Sequence, residues 1–243
     1  MKALNIDNAS HIDLCEAKTN LLTALEKKFG QDTVYSDELN FEFDSKSFSD
    51  IYALLNAHLF NNELKTNNLY SYNCSNDDLK HFIHKMNIST NNVQYYAAYV
   101  PEVNIKTNEI QKESILFFDD NGKMTFLFAV SCLCHEMIHQ YDAHYGIWLK
   151  LAKEDSILGI DRSHDTPVFV KYSKLAALEG IRVMTNSGNT PFDILNKEAI
   201  QFTMNLQEDD SEKLKNLAER LKAGEKIPNV CLTNRNTIAF FVP

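Results

Sequence analysis

Two histidines and a glutamate share the five-residue segment His135-Glu136-Met137-Ile138-His139. On an α-helix, residues four apart lie on the same face, so the two imidazoles can reach one Zn²⁺. Glu136, beside the first histidine, can then take a proton from a zinc-activated water. The spacing predicts a hydrolytic zinc site, provided that the segment is helical and a third ligand lies elsewhere in the chain.

The residues before this segment favour the helix. Residues 124–134 are almost wholly apolar, and together with the motif they predict a helix buried on most sides, after a turn at Asp119–Gly122. A short motif also arises by chance, and both histidines could simply be packed on a core helix. Two histidines and a charged glutamate are costly in such a setting unless they are satisfied, so we favour the metal site.

A catalytic zinc usually has three protein ligands and one open position. His144 lies five residues after His139, and on a continuous helix it would be rotated away from the metal face. His164 stands just before a predicted helix start, after a loop long enough to fold it back onto the motif. The sequence favours His164 as third ligand, with Glu179 on the following helix and His144 as alternatives.

Several side chains could support such a site. Asp142 and Asp165 are candidates to orient a ligand imidazole through its other nitrogen. An electrophilic helper for the oxyanion is expected among the nearby tyrosines. The sequence does not choose among these candidates, which are Tyr95, Tyr96, Tyr141, Tyr145 and Tyr172.

The composition describes a folded acidic protein. The chain has 243 residues, 44% of them hydrophobic and 11% aromatic, which is enough for one large domain with a core. The formal net charge of −9, without a dense Lys/Arg cluster, disfavours direct binding to nucleic acid. Five cysteines without a C-x-x-C pair indicate reduced thiols. With no signal sequence and no membrane-spanning stretch, we expect a cytoplasmic protein without a membrane partner.

The elements upstream of the motif include two helices and a sheet. The apolar pattern predicts a helix at Leu14–Phe29, ended by Gly30, and a second helix that Ser49 or Asp50 caps and Asn61-Asn62 ends. Three strands are then predicted at the end of this region, at Val93–Val100, Val103–Lys106 and Ser114–Phe118. The last strand, beside the motif helix, is our candidate for an edge that binds an extended substrate.

Downstream, Thr166 and Pro167 form a strong helix start, and the helix is predicted to run to about Val183, after a loop from Gly146 to about Arg162. Residues 184–243 are predicted as an α/β appendage with strands at Phe202–Leu206 and Ile238–Val242. We therefore divide the chain into an N-terminal extension (1–46), a central domain (47–183) and a C-terminal appendage (184–243).

Four segments, in this order, resemble a SprT-like domain, and together they cover about residues 48–183. They are Ile51–Leu64, Tyr96–Pro101, Cys134–Tyr141, and Asp161–His164 followed by Phe169. The resemblance implies an α+β, zincin-like metallopeptidase fold, in which a small three-stranded sheet packs on helices that include the motif helix. It further implies one Zn²⁺ per chain, held by His135, His139 and His164, with Glu136 as general base.

The resemblance implies a zinc-dependent metalloendopeptidase with a protein or peptide substrate. The alternative is a zinc-binding structural or partner-binding protein, such as a phage virion or accessory protein, that keeps the fold without proteolysis. Family members that degrade DNA-crosslinked proteins carry DNA-binding elements not visible here, and the zinc ribbon of many members is absent, since the tail holds only Cys231. A crosslink-repair role is therefore not carried over. For a phage-encoded chain, the expected location is the host cytoplasm or the virion.

Overall fold

A five-stranded mixed sheet forms the centre of the computed structural model, which describes residues 20–74, 84–86, 96–118, 124–158, 162–183 and 210–242. In chain order the strands are β1 (Leu69–Cys74), β2 (Ala97–Asn104), β3 (Ile110–Phe118), β4 (Val230–Asn234) and β5 (Thr237–Phe240). They lie side by side in the order β1-β3-β2-β5-β4. The β1–β3 pair is parallel and the other pairs are antiparallel.

Helices surround this sheet. They are α1 (Asn20–Phe29), α2 (Gln31–Val34), α3 (Ser45–Leu59), α4 (Phe126–Tyr145), α5 (Trp148–Leu158), α6 (Pro167–Leu178) and α7 (Asp210–Lys222), with a 3₁₀ turn at Ser163–Asp165. The mixture of helix and strand agrees with the predicted α+β class. Within the described part of the chain, no helix is both long and apolar enough to cross a membrane.

The sheet is larger than the three strands predicted. Parts of the two predicted strands 93–100 and 103–106 form one strand, β2, which continues through Pro101 and ends at Asn104. Residues 93–95 lie outside the described residues. Pro101 stands opposite Glu113 in the ladder. The strand can contain a proline here, because proline lacks one hydrogen-bond donor but has a φ compatible with extended backbone. The prediction missed β1 and β4, whose short and partly polar sequences lack a clear apolar alternation.

The C-terminal strands complete the same sheet. In β5, residues 237–239 pair with residues 102–104 of β2, and β4 pairs with β5. Of the predicted appendage 184–243, the described strands β4 and β5 both belong to the central sheet, and β5 falls where the last strand was predicted, at Ile238–Val242. The strand predicted at Phe202–Leu206 falls outside the described residues.

The prediction that residues 114–118 form a free edge is wrong. Strand β3 pairs with β1 on one side and with β2 on the other, so both of its edges are already hydrogen-bonded. A strand in that position has no free N–H or C=O groups for an added peptide. In the described sheet the two outer strands are β1 and β4.

Helix α3 begins earlier than the apolar pattern predicted. Asp44, not Ser49 or Asp50, is its N-cap. The Asp44 carboxylate accepts a hydrogen bond from the Ser47 backbone N–H (2.6 Å), and Ser47 Oγ accepts one from the Asp44 N–H (2.9 Å). This reciprocal capping box satisfies two free donors, whereas Ser49 lies inside the helix.

Helix α4 carries the motif across the centre of the fold, as predicted. Thr125 caps it, since its hydroxyl accepts a hydrogen bond from the Phe128 N–H. The predicted turn at residues 119–122 falls outside the described residues. Most of the helix is buried, and it packs against β2, α5 and α6. This burial accounts for the apolar run before the motif, since such a helix has little surface facing water.

The segment after α4 is more helical than predicted. Helix α5 occupies most of the stretch 146–162 that the sequence indicated as a loop. Helix α6 begins at Pro167 under the Thr166 cap, as predicted, but it ends at Leu178 and not at Val183. Gly180 follows with φ of +80°, a left-handed conformation that ends helices and favours glycine.

Candidate metal centre

Three histidine side chains meet at one point beside the sheet. His135 and His139 come from successive turns of α4, and His164 comes from the 3₁₀ turn before α6. The Nε2 atom of His135 lies 3.0 Å from that of His139 and 3.0 Å from that of His164, and the third separation is 3.3 Å. The three predicted ligands thus form one mostly buried cluster that could hold a metal ion.

Hydrogen bonds alone cannot satisfy such a triangle. Each Nε2 of a neutral imidazole is either a donor or an acceptor, so at least one of the three pairs must set two donors or two acceptors against each other. A tetrahedral zinc ion with Zn–N bonds of about 2.0–2.1 Å would hold its nitrogens about 3.3–3.4 Å apart. The donor set and its spacing therefore fit a metal ion with imidazole ligands.

Phe169 packs against the whole cluster. Its ring centroid lies 5.1 Å from that of His135, 4.8 Å from that of His139 and 4.8 Å from that of His164. His139 is fully buried, and His164 is the most exposed of the three. The phenyl ring therefore gives the three imidazoles a common apolar support, which restricts their rotation.

Glu136 lies next to the first ligand and is only 2% exposed. Burial raises the pKa of its carboxyl group well above the usual range, and the nearby backbone N–H of Tyr99 acts in the opposite direction. Among the described residues, its Oε2 atom has no hydrogen-bond partner. The carboxyl group is therefore shielded from solvent, and one of its oxygens is available to accept a proton.

The two alternative ligands lie outside the cluster. His144 places its Nε2 atom 2.9 Å from Oε1 of the buried Glu113. Glu179 follows α6, and its Oε2 accepts a hydrogen bond from the backbone N–H of Leu21 (3.0 Å). Both side chains serve contacts within the fold, and His164 occupies the third position.

The sequence suggested that Asp142 hydrogen-bonds directly to a ligand imidazole, but its carboxylate binds other groups. Its Oδ1 accepts hydrogen bonds from the backbone N–H groups of Ile147 (3.0 Å) and Trp148 (3.1 Å), and its Oδ2 accepts one from the Thr166 hydroxyl. Burial raises the pKa of Asp142 to about 6, against the lowering effect of these three donors. The carboxylate thus joins the end of α4 to the starts of α5 and α6.

A second buried polar group, that of Glu113, contacts the motif helix, and no sequence motif indicated it. Glu113, on β3, accepts hydrogen bonds from the hydroxyl of Tyr99 and from the side-chain amide of Gln140 (3.3 Å), besides its contact with His144. The Tyr52 hydroxyl donates to Gln140 Oε1 (2.7 Å). Because Gln140 directly follows His139, this network ties the ligand helix to the sheet and to α3.

Two of the candidate tyrosines are held elsewhere. The Tyr141 hydroxyl donates to Oε2 of Glu63 (2.6 Å), and the Tyr145 hydroxyl donates to the Glu63 backbone carbonyl (3.0 Å). Tyr95 lies outside the described residues. The predicted oxyanion helper therefore stays unassigned.

The C-terminal segment reaches the same region. The Tyr99 N–H donates to the Val242 carbonyl (3.0 Å), and the Val242 N–H donates to the Tyr99 carbonyl (3.0 Å). Val242 is buried, as is Phe241 before it. Since the Tyr99 N–H is also close to Glu136, the last residues of the described chain run beside the candidate site.

Comparisons with protein-family models, with curated proteins and with solved structures each found no match. What can be concluded about the chemistry of this chain therefore comes from its own residues.

Proposed function

We propose that the protein is a zinc-dependent metalloendopeptidase with a SprT-like catalytic domain. One observation carries the proposal: three imidazole nitrogens lie within 3.3 Å of one another, and the residue after the first of these histidines is a buried glutamate whose Oε2 has no hydrogen-bond partner among the described residues. A closed structural metal site has no need of that glutamate. A hydrolytic site needs it, because a proton must leave the attacking water and reach the leaving amine.

Zinc is the metal that these ligands favour. Three histidines with an open fourth position are typical of catalytic zinc, whereas structural zinc sites usually have four protein ligands, often cysteines. In the described part of the chain, the cluster contains three side chains and no cysteine. When bound, a zinc ion supplies Lewis acidity, which brings the pKa of a coordinated water toward neutrality and polarises a carbonyl group. We propose one zinc ion per chain.

Side chains of the protein would bind the metal, support its ligands and transfer the proton. His135, His139 and His164 provide a neutral donor set, and Phe169 keeps their rings in place. Glu136 is the general base: its carboxylate takes the proton of the attacking water and then delivers it to the nitrogen of the leaving amine. Its burial keeps bulk water away, so its proton exchange is directed to the substrate.

The position of Val242 favours a regulated form of this function. An extended peptide can bind a sheet by adding a strand, and the stretch of β2 nearest Glu136 is the natural place for it. That stretch includes Tyr99, whose backbone N–H and C=O are both paired with Val242. A peptide that used this edge would first have to displace Val242.

A zinc protein without proteolysis is the rival function, and the conservative variant E136Q separates the two. We would load wild-type protein and E136Q with zinc, measure metal content, and follow cleavage of fluorescently labelled casein together with self-cleavage by intact mass. We expect about one zinc per chain in both proteins and hydrolysis by the wild type alone.

Two results would count against the proposed function. Cleavage by E136Q at the wild-type rate would remove Glu136 from the mechanism. A zinc-loaded wild-type chain that cleaves neither casein nor itself, even after its C-terminal residues have been loosened, would favour the structural role.

A further inference from the structure

We infer that Asp142 is a positioning residue for the third metal ligand, acting through the hydroxyl of Thr166. This inference rests on the metal site of the proposed function, and it concerns how His164 is brought to the two histidines of α4. His139 and His164 are 25 residues apart in the chain. A connection of that length allows many relative positions, so some contact must select the one in which the three nitrogens meet.

The Asp142 carboxylate makes that contact. Asp142 lies on α4 three residues after His139, and its side chain is fully buried. Its Oδ2 accepts a hydrogen bond from the Thr166 hydroxyl, and Thr166 lies two residues after His164. A single buried side chain therefore links the helix of the first two ligands to the segment of the third.

Thr166 connects Asp142 both to the segment of His164 and to the start of α6. Besides donating to Asp142, its Oγ1 accepts a hydrogen bond from the Phe169 N–H (3.0 Å) and so caps α6. Phe169 is the residue whose ring touches all three ligand imidazoles. A displaced Thr166 would therefore move both the third ligand and the apolar support of the cluster.

The other oxygen of Asp142 fixes the carboxylate itself. Oδ1 accepts hydrogen bonds from the N–H groups of Ile147 and Trp148 at the start of α5. Gly146 is necessary for this approach, because a Cβ atom there would overlap Asp142 Oδ1 and would lie 2.8 Å from Cγ2 of Val168. The requirement is one of space, since φ of Gly146 is −110°. The chain thus keeps a glycine where the carboxylate must pass.

The test compares zinc affinity and the absorption spectrum of the Co²⁺-substituted protein among single variants. T166V removes the hydroxyl and keeps the shape, T166S keeps the hydroxyl, and G146A crowds the Asp142 carboxylate and the Val168 side chain while keeping the Thr166 hydroxyl. S173A is a matched control, because Ser173 is a buried hydroxyl on α6 without a hydrogen-bond partner among the described residues.

We expect T166V and G146A to bind zinc roughly 10–100-fold more weakly than the wild type, as is usual when a group that supports a metal ligand is lost. Their Co²⁺ spectra should shift in the visible region because the third ligand is no longer held in place. T166S and S173A should bind zinc within about threefold of the wild type, with an unchanged spectrum. A merely structural role would lower thermal stability in T166V and leave the Co²⁺ spectrum of its folded form unchanged.

Wild-type zinc affinity and an unchanged Co²⁺ spectrum in both T166V and G146A would overturn the inference. If T166V does not fold, G146A decides by itself. H164A separates this failure from that of the proposed metal site. If H164A loses zinc while T166V and G146A keep it, only the role of Asp142 is wrong, whereas zinc retained by H164A contradicts the site itself.

Discussion

Tyr99 and Val242 are joined by two backbone hydrogen bonds of 3.0 Å each, so Val242 is paired with the strand whose Tyr99 N–H lies close to Glu136. The pair extends the antiparallel contact that β5 makes with residues 102–104. It also uses the two backbone groups of Tyr99 that an added peptide strand would need. Whatever binds at this edge must compete with Val242.

The first prediction concerns this competition. V242P removes the N–H that donates to the Tyr99 carbonyl, which should loosen the segment at a cost of about 1 kcal/mol in the free energy of unfolding. We expect the zinc-loaded variant to cleave labelled casein faster than the wild type. Hydrogen exchange at the Tyr99 amide should increase in parallel, because its partner is no longer held in register.

V242A is the matched control, since it shortens the same buried side chain but keeps the N–H. Faster amide exchange at Tyr99 in V242P without faster cleavage would mean that the C-terminal segment does not limit access to the site.

The second prediction separates ligand from non-ligand histidines. H164A should lower zinc affinity by more than the roughly 10–100-fold that loss of a supporting group costs, because a first ligand is removed. H144A should keep one zinc per chain and should instead destabilise the fold by about 1–3 kcal/mol, since the buried Glu113 loses a partner. Metal analysis after dialysis, together with urea unfolding, measures both effects. Equal zinc loss in the two variants would contradict the assignment.

The third prediction is a pH dependence. The pKa of Asp142 is about 6 in the folded chain, above its ordinary value of 3.8. The folded state therefore binds the proton more readily, so this group's contribution to stability is fully present below pH 3.8 and is lost as the pH rises through about 6. The contribution is on the order of 3 kcal/mol.

D142N tests this dependence, because the amide has the same shape and does not titrate. In zinc-free protein, the free energy of unfolding of the wild type minus that of D142N should fall between about pH 4 and about pH 7. Urea unfolding at several pH values measures it. A difference that stays constant with pH would show an ordinary pKa for Asp142, and one that rises with pH would show a lowered pKa; either result would contradict this prediction.

The fourth prediction concerns the apolar support of the cluster. Phe169 is only 1% exposed, and F169A should cost about 3–5 kcal/mol of stability through the cavity it leaves. F169L should cost less, because it fills more of the same space. Thermal unfolding with excess zinc and with a chelator measures the loss. The stabilisation that zinc provides should be smaller in F169A than in F169L, since the freed imidazoles are ordered only on binding. Equal stabilisation by zinc in the two variants would mean that Phe169 does not hold the imidazoles.

Local pattern was sufficient for part of the site. The i, i+4 spacing of His135 and His139 places both side chains on one face once the segment is helical. The apolar run before them indicates that helix. His164 was harder, because a ligand across a loop is only a candidate until the loop has a shape. The Thr166–Pro167 helix start favoured it, while Glu179 and His144 stayed open.

The sheet was predicted less well, for a physical reason. Strand β5 pairs with β2, which lies far from it in the sequence, and nothing in the residues of either strand identifies its partner. Without these pairings, the sequence favours residues 114–118 as the edge that binds substrate. The structure places this strand inside the sheet, between β1 and β2. Helix α5 was missed because part of its start is stabilised by a side chain of the preceding helix, that of Asp142.

The sequence by itself determined the chemistry that is available: two histidines and a glutamate on one buried helix, and a third histidine before a capped helix. These features follow from backbone periodicity and capping, which act over a few residues. Only the tertiary structure decided that Asp142 reaches Thr166 past Gly146, and that Val242 lies against Tyr99 close to Glu136. Such contacts depend on how distant segments pack, because a hydrogen bond across 24 or 143 positions of the chain has no local signature.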